Sequence, residues 1–406
     1  MPGGPKIASI EIFRLPPRWL FVRVATAKSE EHTTEYVGWG EATLEGHTEA
    51  IEGAFNDLRE RFIGADCDDI ERIYVEGYRG RFYRGGPVLM SAISGLDIAL
   101  WDIKGKRLGV PIYSLLGGKV RDRCAVYGWI GGDRPSDVVE GARKRKEQGF
   151  RAVKMNGSES MGWLDSPSAL DATVERVKAV RELGLDVGVD FHGRVHLPMA
   201  RQLARKLESV GPLFIEEPLL PTQPLEIADL AKQTTIPIAL GERLFTRQDF
   251  RPYLEARAIS IAQPDIAHCG GISELRRIAS LAETYDVALA PHCPLGPIAF
   301  MASVQVGLAS PNFVIQECSW EMHYNLESRI KADLLTYVQP SSLRAFAIKD
   351  GFVEAPLGPG IGFEVDEEKV RAMDLLQGTG AATRQEEVPA WRNPMFIGQD
   401  GALREW

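Results

Sequence analysis

Three absences narrow the field before any motif is read. No apolar run approaches the roughly 18 residues that a membrane-spanning helix needs. No C-x-x-C pattern occurs, and the five cysteines (Cys67, Cys124, Cys269, Cys293 and Cys318) are odd in number and widely scattered. A zinc ribbon or a disulfide framework is therefore not expected, and a reducing cytoplasm is the default. Nor is there a surplus of positive charge: 47 Lys and Arg face 56 Asp and Glu, a net charge of −9. That argues against nucleic-acid binding, and any anionic substrate would need local positive charge from a metal or a few basic side chains. The opening MPGGPKIASIEIF has no apolar signal-peptide core, so a cytoplasmic protein without a membrane partner is expected.

What is present is a soluble globular composition, 44% hydrophobic and 25% charged. From about residue 123 to 320 one unit recurs, a short apolar strand with a polar end followed by an amphipathic stretch. The strands read as CAVYGWIGGD, AVKMNG, DVGVDFHG, PLFIEEP, IPIALGE, ISIAQPD, ALAPHCP and FVIQECS. Eight strands alternating with helices call for a parallel α/β barrel. Residues 7–45 alternate as an antiparallel meander, with AKSEEHTTE as a hairpin loop, and two helical segments follow. The expected division is an α+β domain over 1–122, a TIM-type barrel over 123–335, and a Pro/Gly-rich segment over 336–406 that completes one or both.

Polar groups in such a barrel gather at the C-terminal ends of its strands. Asp190, Glu216 and Glu242 close successive strands at a spacing of 26 residues each. One such carboxylate is as readily explained by a salt bridge to a helix. Three in register would repel unless they shared a hard divalent cation, and all-oxygen ligation favours Mg²⁺. Asp190 and His192 are two apart, so on a strand they would share a face. His292 comes one strand after Asp265, and an Asp beside a His fixes its tautomer and raises its basicity, as a general base requires. Lys154, Asn156 and Glu317 add to the same mouth. Cys293 and Cys318 follow His292 and Glu317 directly and should face the other way, as buried small residues. His268 reads as structural or as part of the following loop.

In this order, GVDFHGR, FIEEP, LGERL, QPDIAHCGG, APHCPLGP and IQECS resemble the enolase superfamily, in its mandelate racemase-like subgroup. ISGLDIALWDIKGK is also similar to that family's hallmark helix. YRGGPVLMSAISG, VKMNG, VDFHGRVHLPMA and the ending PAWRNP…EW bring the similarity closest to its branch that dehydrates D-galactonate. The resemblance implies a modified (β/α)7β TIM barrel with an α+β N-terminal capping domain. It implies one Mg²⁺ per subunit on Asp190, Glu216 and Glu242, with His292 as the C2 base oriented by Asp265. His192 would be the acid at the 3-hydroxyl, and Glu317 and Asn156 would hold the carboxylate. The implied partner is a small sugar acid, and relatives of this fold commonly assemble, so a homo-oligomer is expected.

Where racemases of the superfamily carry Lys-x-Lys, this chain has Lys154-Met155-Asn156, which favours a His-based dehydratase over a two-base racemase. Arg18, Trp19 and Arg84, in capping-domain loops, are candidates for reading distal hydroxyls. Packing at the domain interface for Trp19, and solvation for the two arginines, are the alternatives. Other sugar acids such as gluconate, an epimerase on the same site, and a non-catalytic barrel stay open on this reading.

Overall fold

The computed structural model describes residues 3–131, 138–159, 161–319, 330–376, 385–386, 388, 393 and 395–405. Most of LLQGTGAATRQEE, most of PAWRNP, and Trp406 lie outside the described residues.

The alternating N-terminal stretch forms an antiparallel sheet of β1 (Ile7–Leu15), β2 (Trp19–Thr26) and β3 (Val37–Glu41), with AKSEEHTTE closing the second hairpin. Two amphipathic helices, α1 (Thr48–Phe62) and α2 (Ile70–Arg79), and the long α3 (Pro87–Leu108) complete this domain. α3 starts on a proline, which suits the first helical turn, and ends at Gly109 in the left-handed conformation. It is buried on nearly all sides because β3 lies directly on it. A side chain at Gly38 or Gly40 would collide with the backbone carbonyls of Ala99 or Gly95, so glycine sets that approach.

Eight parallel strands follow: β4 (Arg123–Trp129), β5 (Ala152–Asn156), β6 (Asp186–Asp190), β7 (Phe214–Glu216), β8 (Ile238–Leu240), β9 (Ile261–Ala262), β10 (Ala288–Leu289) and β11 (Gln316–Cys318). They pair in sequence from β4 to β10, and β11 pairs back onto β4. The remaining seam is closed by a bridge between Leu289 and Phe313. Among the described residues seven α-helices separate the eight strands, the (β/α)7β pattern. The eight strands expected from sequence are all present, and each ends earlier than expected. The later segment serves both domains. β12 (Ile348–Lys349) and β13 (Phe352–Glu354) form a hairpin whose second strand pairs antiparallel with the start of β4. Leu375 N donates to Arg14 O in β1, and Tyr337 Oη donates to Pro16 O. Among the described residues no helix is long and apolar enough to cross a membrane.

Three buried carboxylates fasten the capping domain to the rest. Glu41 accepts from Gly296 N at 2.8 Å and Ala299 N at 3.0 Å, at the start of the helix Pro297–Ala309. Asp97 accepts from Ser273 N at 3.0 Å and Ser273 Oγ at 2.5 Å, in the first turn of the helix Gly271–Glu283. Asp102 accepts from Trp39 N and Ile361 N, each at 2.9 Å, and from Lys106 Nζ at 2.8 Å. Each satisfies backbone donors that a helix start or a chain crossing would otherwise bury unpaired.

Burial outweighs those hydrogen bonds at Glu41 and Asp97 and pushes their carboxyls up to about 7. A carboxyl whose folded pKa stands above its unfolded value of about 4 binds its proton more tightly when folded. Its contribution to stability is complete below that unfolded value and is lost as the pH rises through about 7. Thermal melts should therefore show Tm falling from about pH 5 to 7, and falling less steeply in the Glu41→Gln/Asp97→Asn variant. Equal slopes would remove both carboxyls from the pH dependence.

Candidate active site

The strand ends set the height of each group. Asn156, Asp190 and Glu216 are Cα partners across β5, β6 and β7, so they lie at one level. Glu242 follows β8, Asp265 follows β9, His292 follows β10, and Glu317 lies in β11. Lys154 rises from β5 into their midst. All of these except Glu242, whose side chain is 12% exposed, are buried.

Lys154 Nζ stands 2.8 Å from Glu216 Oε1, 3.1 Å from Glu317 Oε1 and 3.2 Å from Asp190 Oδ2. Burial by itself would weaken the ammonium; Glu216 and Glu317 outweigh it and hold Lys154 well above the usual lysine range. Its charge also lies over the Trp129 ring, 5.2 Å from the centroid. Glu216, although touched by Lys154 and hydrogen-bonded by Gln263 Nε2 at 2.7 Å, is raised by burial first and by Asp190 second. Asp190 Oδ2 is buried with no hydrogen bond; it forms an ion pair with Lys154 at 3.2 Å and lies 3.2 Å from His192 Nε2. Negative charge at this level is thus only partly compensated.

His292 Nδ1 lies 2.8 Å from Asp265 Oδ2, whose other oxygen accepts from Ala267 N at 2.7 Å. This is the dyad geometry: the carboxylate is fixed by backbone and in turn fixes the ring, leaving Nε2 toward the mouth. There Nε2 meets Glu242 Oε2 at 2.7 Å and faces Glu317 Oε2 at 3.8 Å. Burial opposes the imidazolium, but Glu242 and Glu317 overcome it and raise His292 well above the usual range. Glu242 is correspondingly held well below its usual range: burial would raise it, and His292 and Arg243 prevail.

His192 and Asp190 meet as expected, for a different reason. β6 ends at Asp190, and His192 lies beyond it with φ 51°, a left-handed turn rather than a strand position. That turn brings its N–H to Asp190 Oδ1 at 2.8 Å and its ring back to the same carboxylate, edge-on to Trp129. Burial lowers this imidazole to about 4, against the pull of Asp190 and Glu242, so it is neutral at pH 7.

Not every candidate joins this cluster. Arg18 is half-buried and reaches the loop after β10, donating to Pro294 O at 3.3 Å and pairing with Glu45 at 3.2 Å. Trp19 instead lies in the shared core, stacked on Phe21 and edge-on to Tyr337, because its place in β2 points it inward. Arg84 is exposed in the turn before α3, over the Tyr78 ring at 6.0 Å. His268 is held at Nδ1 by Ser91 Oγ at 3.0 Å, and its Nε2 lies 3.8 Å from both Glu45 and Asp265. The five cysteines are free and buried. Sequence reading passed over Gln263, Arg243 and Trp129. Gln263 carried a signal, standing two residues before Asp265 at the end of its strand; Trp129 carried none.

Among the described residues no three of His, Cys, Asp and Glu form a group that could hold a metal ion. The cause is visible: Lys154 gathers Asp190 and Glu216 toward Glu317, while His292 takes Glu242. The donor chemistry nevertheless fits a hard cation. The carboxylates sit at successive strand ends, Asp190 Oδ2 has no hydrogen bond, and Glu216 is raised by a neighbour of like charge.

Residues 137–369 match the enolase C-terminal domain-like family, and residues 22–117 match the mandelate racemase/muconate lactonizing enzyme N-terminal domain. Two curated proteins named D-galactonate dehydratase are similar over 99% of this chain and all of their own length. That of Ralstonia pickettii (strain 12J) is 47% identical, and that of Variovorax paradoxus (strain S110) is 46% identical. Among solved structures, an enolase from Agrobacterium radiobacter, proposed as a galactarate dehydratase and bound to Na and L-malate, is 29% identical. It superposes with a TM-score of 0.82 over 98% of this chain and 99% of that one. A mandelate racemase/muconate lactonizing enzyme-like protein from Rubrobacter xylanophilus DSM 9941 is 31% identical, with a TM-score of 0.79 over 91% and 98% of the two chains.

Lys154→Gln tests the charge balance. Removing the cation from a buried cluster leaves its partners uncompensated, a cost of about 3–5 kcal/mol. Urea denaturation without added divalent ions should register a loss of that order. A loss below about 1 kcal/mol would mean that Lys154 does not carry these carboxylates.

Proposed function

This chain belongs to the mandelate racemase/muconate lactonizing enzyme family, with its enolase-like barrel, and from that premise we propose that it is a Mg²⁺-dependent hydro-lyase acting on D-galactonate. The products are 2-dehydro-3-deoxy-D-galactonate and water. The substrate follows the curated relatives, which are similar from end to end. One observation carries the chemistry: two imidazoles, each held by its own carboxylate, face one another across the mouth. β6 and β10 are four strands apart in either direction around an eight-stranded barrel, so His192 and His292 approach from opposite sides.

The hydrogen beside a carboxylate is weakly acidic, and its removal needs charge stabilisation as the ene-diolate develops. A Mg²⁺ held by Asp190, Glu216 and Glu242 would supply positive charge next to the substrate carboxylate. Lys154 adds a fixed positive charge at the same level, and Glu317 and Asn156 line that side. His292 takes the C2 proton on Nε2, with Nδ1 anchored on Asp265. For that it must be neutral, so Glu242 has to leave Nε2 and turn to its role as ligand. His192 gives a proton to the departing 3-hydroxyl. Burial lowers this imidazole to about 4, and an anionic substrate beside it would favour the imidazolium that donates. The enol left behind tautomerises to the 2-keto acid. Arg18, beside the base, is the capping-domain residue best placed to touch the distal hydroxyls. A cytoplasmic homo-oligomer is part of the same reading, and light scattering tests the assembly.

Among a set of acid sugars, D-galactonate should give 2-keto acid formation with Mg²⁺ and none after chelation. Calorimetry should register Mg²⁺ binding that Asp190→Asn and Glu216→Gln each weaken by at least about 10-fold. Activity unaffected by chelation would overturn the metal role, and preference for another sugar acid would overturn the substrate.

The histidine assignments separate in deuterated solvent. His292→Asn should lose both C2 exchange and turnover. His192→Asn should keep exchange and dehydrate about 10²–10⁴-fold more slowly. A substrate bearing fluoride in place of the 3-hydroxyl should restore much of that loss, since fluoride departs without a proton. Equal loss of exchange in both variants would deny His192 the acid role.

A further inference from the structure

One guanidinium joins three of the strand-end loops that build this site. Arg243 Nη2 donates to His192 O at 2.9 Å, in the loop after β6. Its Nε lies 3.3 Å from Glu217 Oε2, just beyond β7, and 3.6 Å from Glu242 Oε1, its own neighbour after β8. Two of these partners are non-glycine residues in left-handed backbone: His192 at φ 51° and Glu217 at φ 40°. Their loops are also tied to each other, because Gly193 N donates to Glu217 O at 2.9 Å. Such conformations are sparsely populated for side-chain-bearing residues and persist only where surroundings impose them. Glu217 is fully buried, and Arg243 is its ion-pair partner among the described residues.

We infer that Arg243 is a positioning residue for the general acid: it holds the left-handed turn that aims the His192 imidazole at the leaving group. It acts on the backbone, through the His192 carbonyl, and takes its own bearing from Glu217. A planar fork can serve both partners at once, whereas a lysine ammonium is a point charge on a flexible stem. The inference therefore separates geometry from charge: Lys at this position keeps the charge and loses the fork. It rests on the reading of His192 as the acid, and the test is arranged to tell the two apart.

The experiment measures three activities in the Mg²⁺-loaded enzyme: dehydration of D-galactonate, exchange of its C2 hydrogen with deuterated solvent, and loss of fluoride from the 3-deoxy-3-fluoro analogue. His192→Asn is measured alongside. Arg243→Gln should slow dehydration by about 10²-fold, the lower range of a general acid's contribution, while exchange and fluoride loss stay within about 3-fold of the unmodified enzyme. Arg243→Lys should follow Arg243→Gln. The double variant Arg243→Gln/Glu217→Gln, which leaves no orphaned buried charge, gives the same comparison should the single variant fold poorly. The decisive quantity is the profile across the three activities. Arg243→Gln matching His192→Asn supports the inference even if that profile shows His192 to be something other than an acid. Unaltered dehydration, or loss of all three activities where His192→Asn loses one, overturns it, as does full recovery in Arg243→Lys.

Discussion

The mouth of this barrel is governed by the cost of gathering carboxylates where water is scarce. Asp190, Glu216 and Glu317 would not stand together at ion-pair distance from a single point unless a cation stood there, and Lys154 does. Much else follows from that placement. Lys154 comes from the middle of a fully buried strand, so its charge is fixed in position by the sheet. Trp129 and Tyr127 lie beside the ammonium and exclude water from it. The carboxylates accordingly stand in two groups, Asp190, Glu216 and Glu317 around Lys154 and Glu242 on His292.

The seam between the two domains solves a related problem by other means. Glu41, Asp97 and Asp102 are buried too, yet backbone N–H groups from the barrel side provide much of their compensation. Two of them cap barrel helices whose first turns lack internal partners. Each domain thus completes the other's hydrogen bonding, and the cap is held in a defined orientation over the strand ends. Arg18 and Glu45 reach the base side of the mouth from that docked position.

The barrel was legible from the sequence because its strands end in polar residues at regular intervals, and that pattern survives in a single chain. The Asp265–His292 pair was legible for the same reason. Asp190 and His192 were correctly placed together on an argument of strand alternation that the structure replaces with a left-handed turn. Nothing in DFHGR distinguishes those two routes, since φ at His192 is imposed by partners from β7 and β8. Trp19 illustrates the opposite limit. An aromatic residue at the start of a strand, next to a Pro-Pro turn, can face the mouth or the core, and only the packing of Phe21 and Tyr337 decides. Gln263 and Arg243 matter through contacts with residues 47 and 51 positions away, which lie beyond any local pattern.

The hairpin that follows the barrel bears on how the molecule is made. Strand β4 begins at Arg123, yet its first three residues are paired by Phe352–Glu354, and β1 near the N-terminus is bonded by Leu375. Both strands pair with their neighbours in sequence, β5 and β2, yet an edge of each is completed only by residues more than two hundred positions later. The segment after the barrel thus covers an open edge in each domain. An uncovered strand edge is a template for wrong pairing, so the same residues that finish the two sheets also guard them against aggregation.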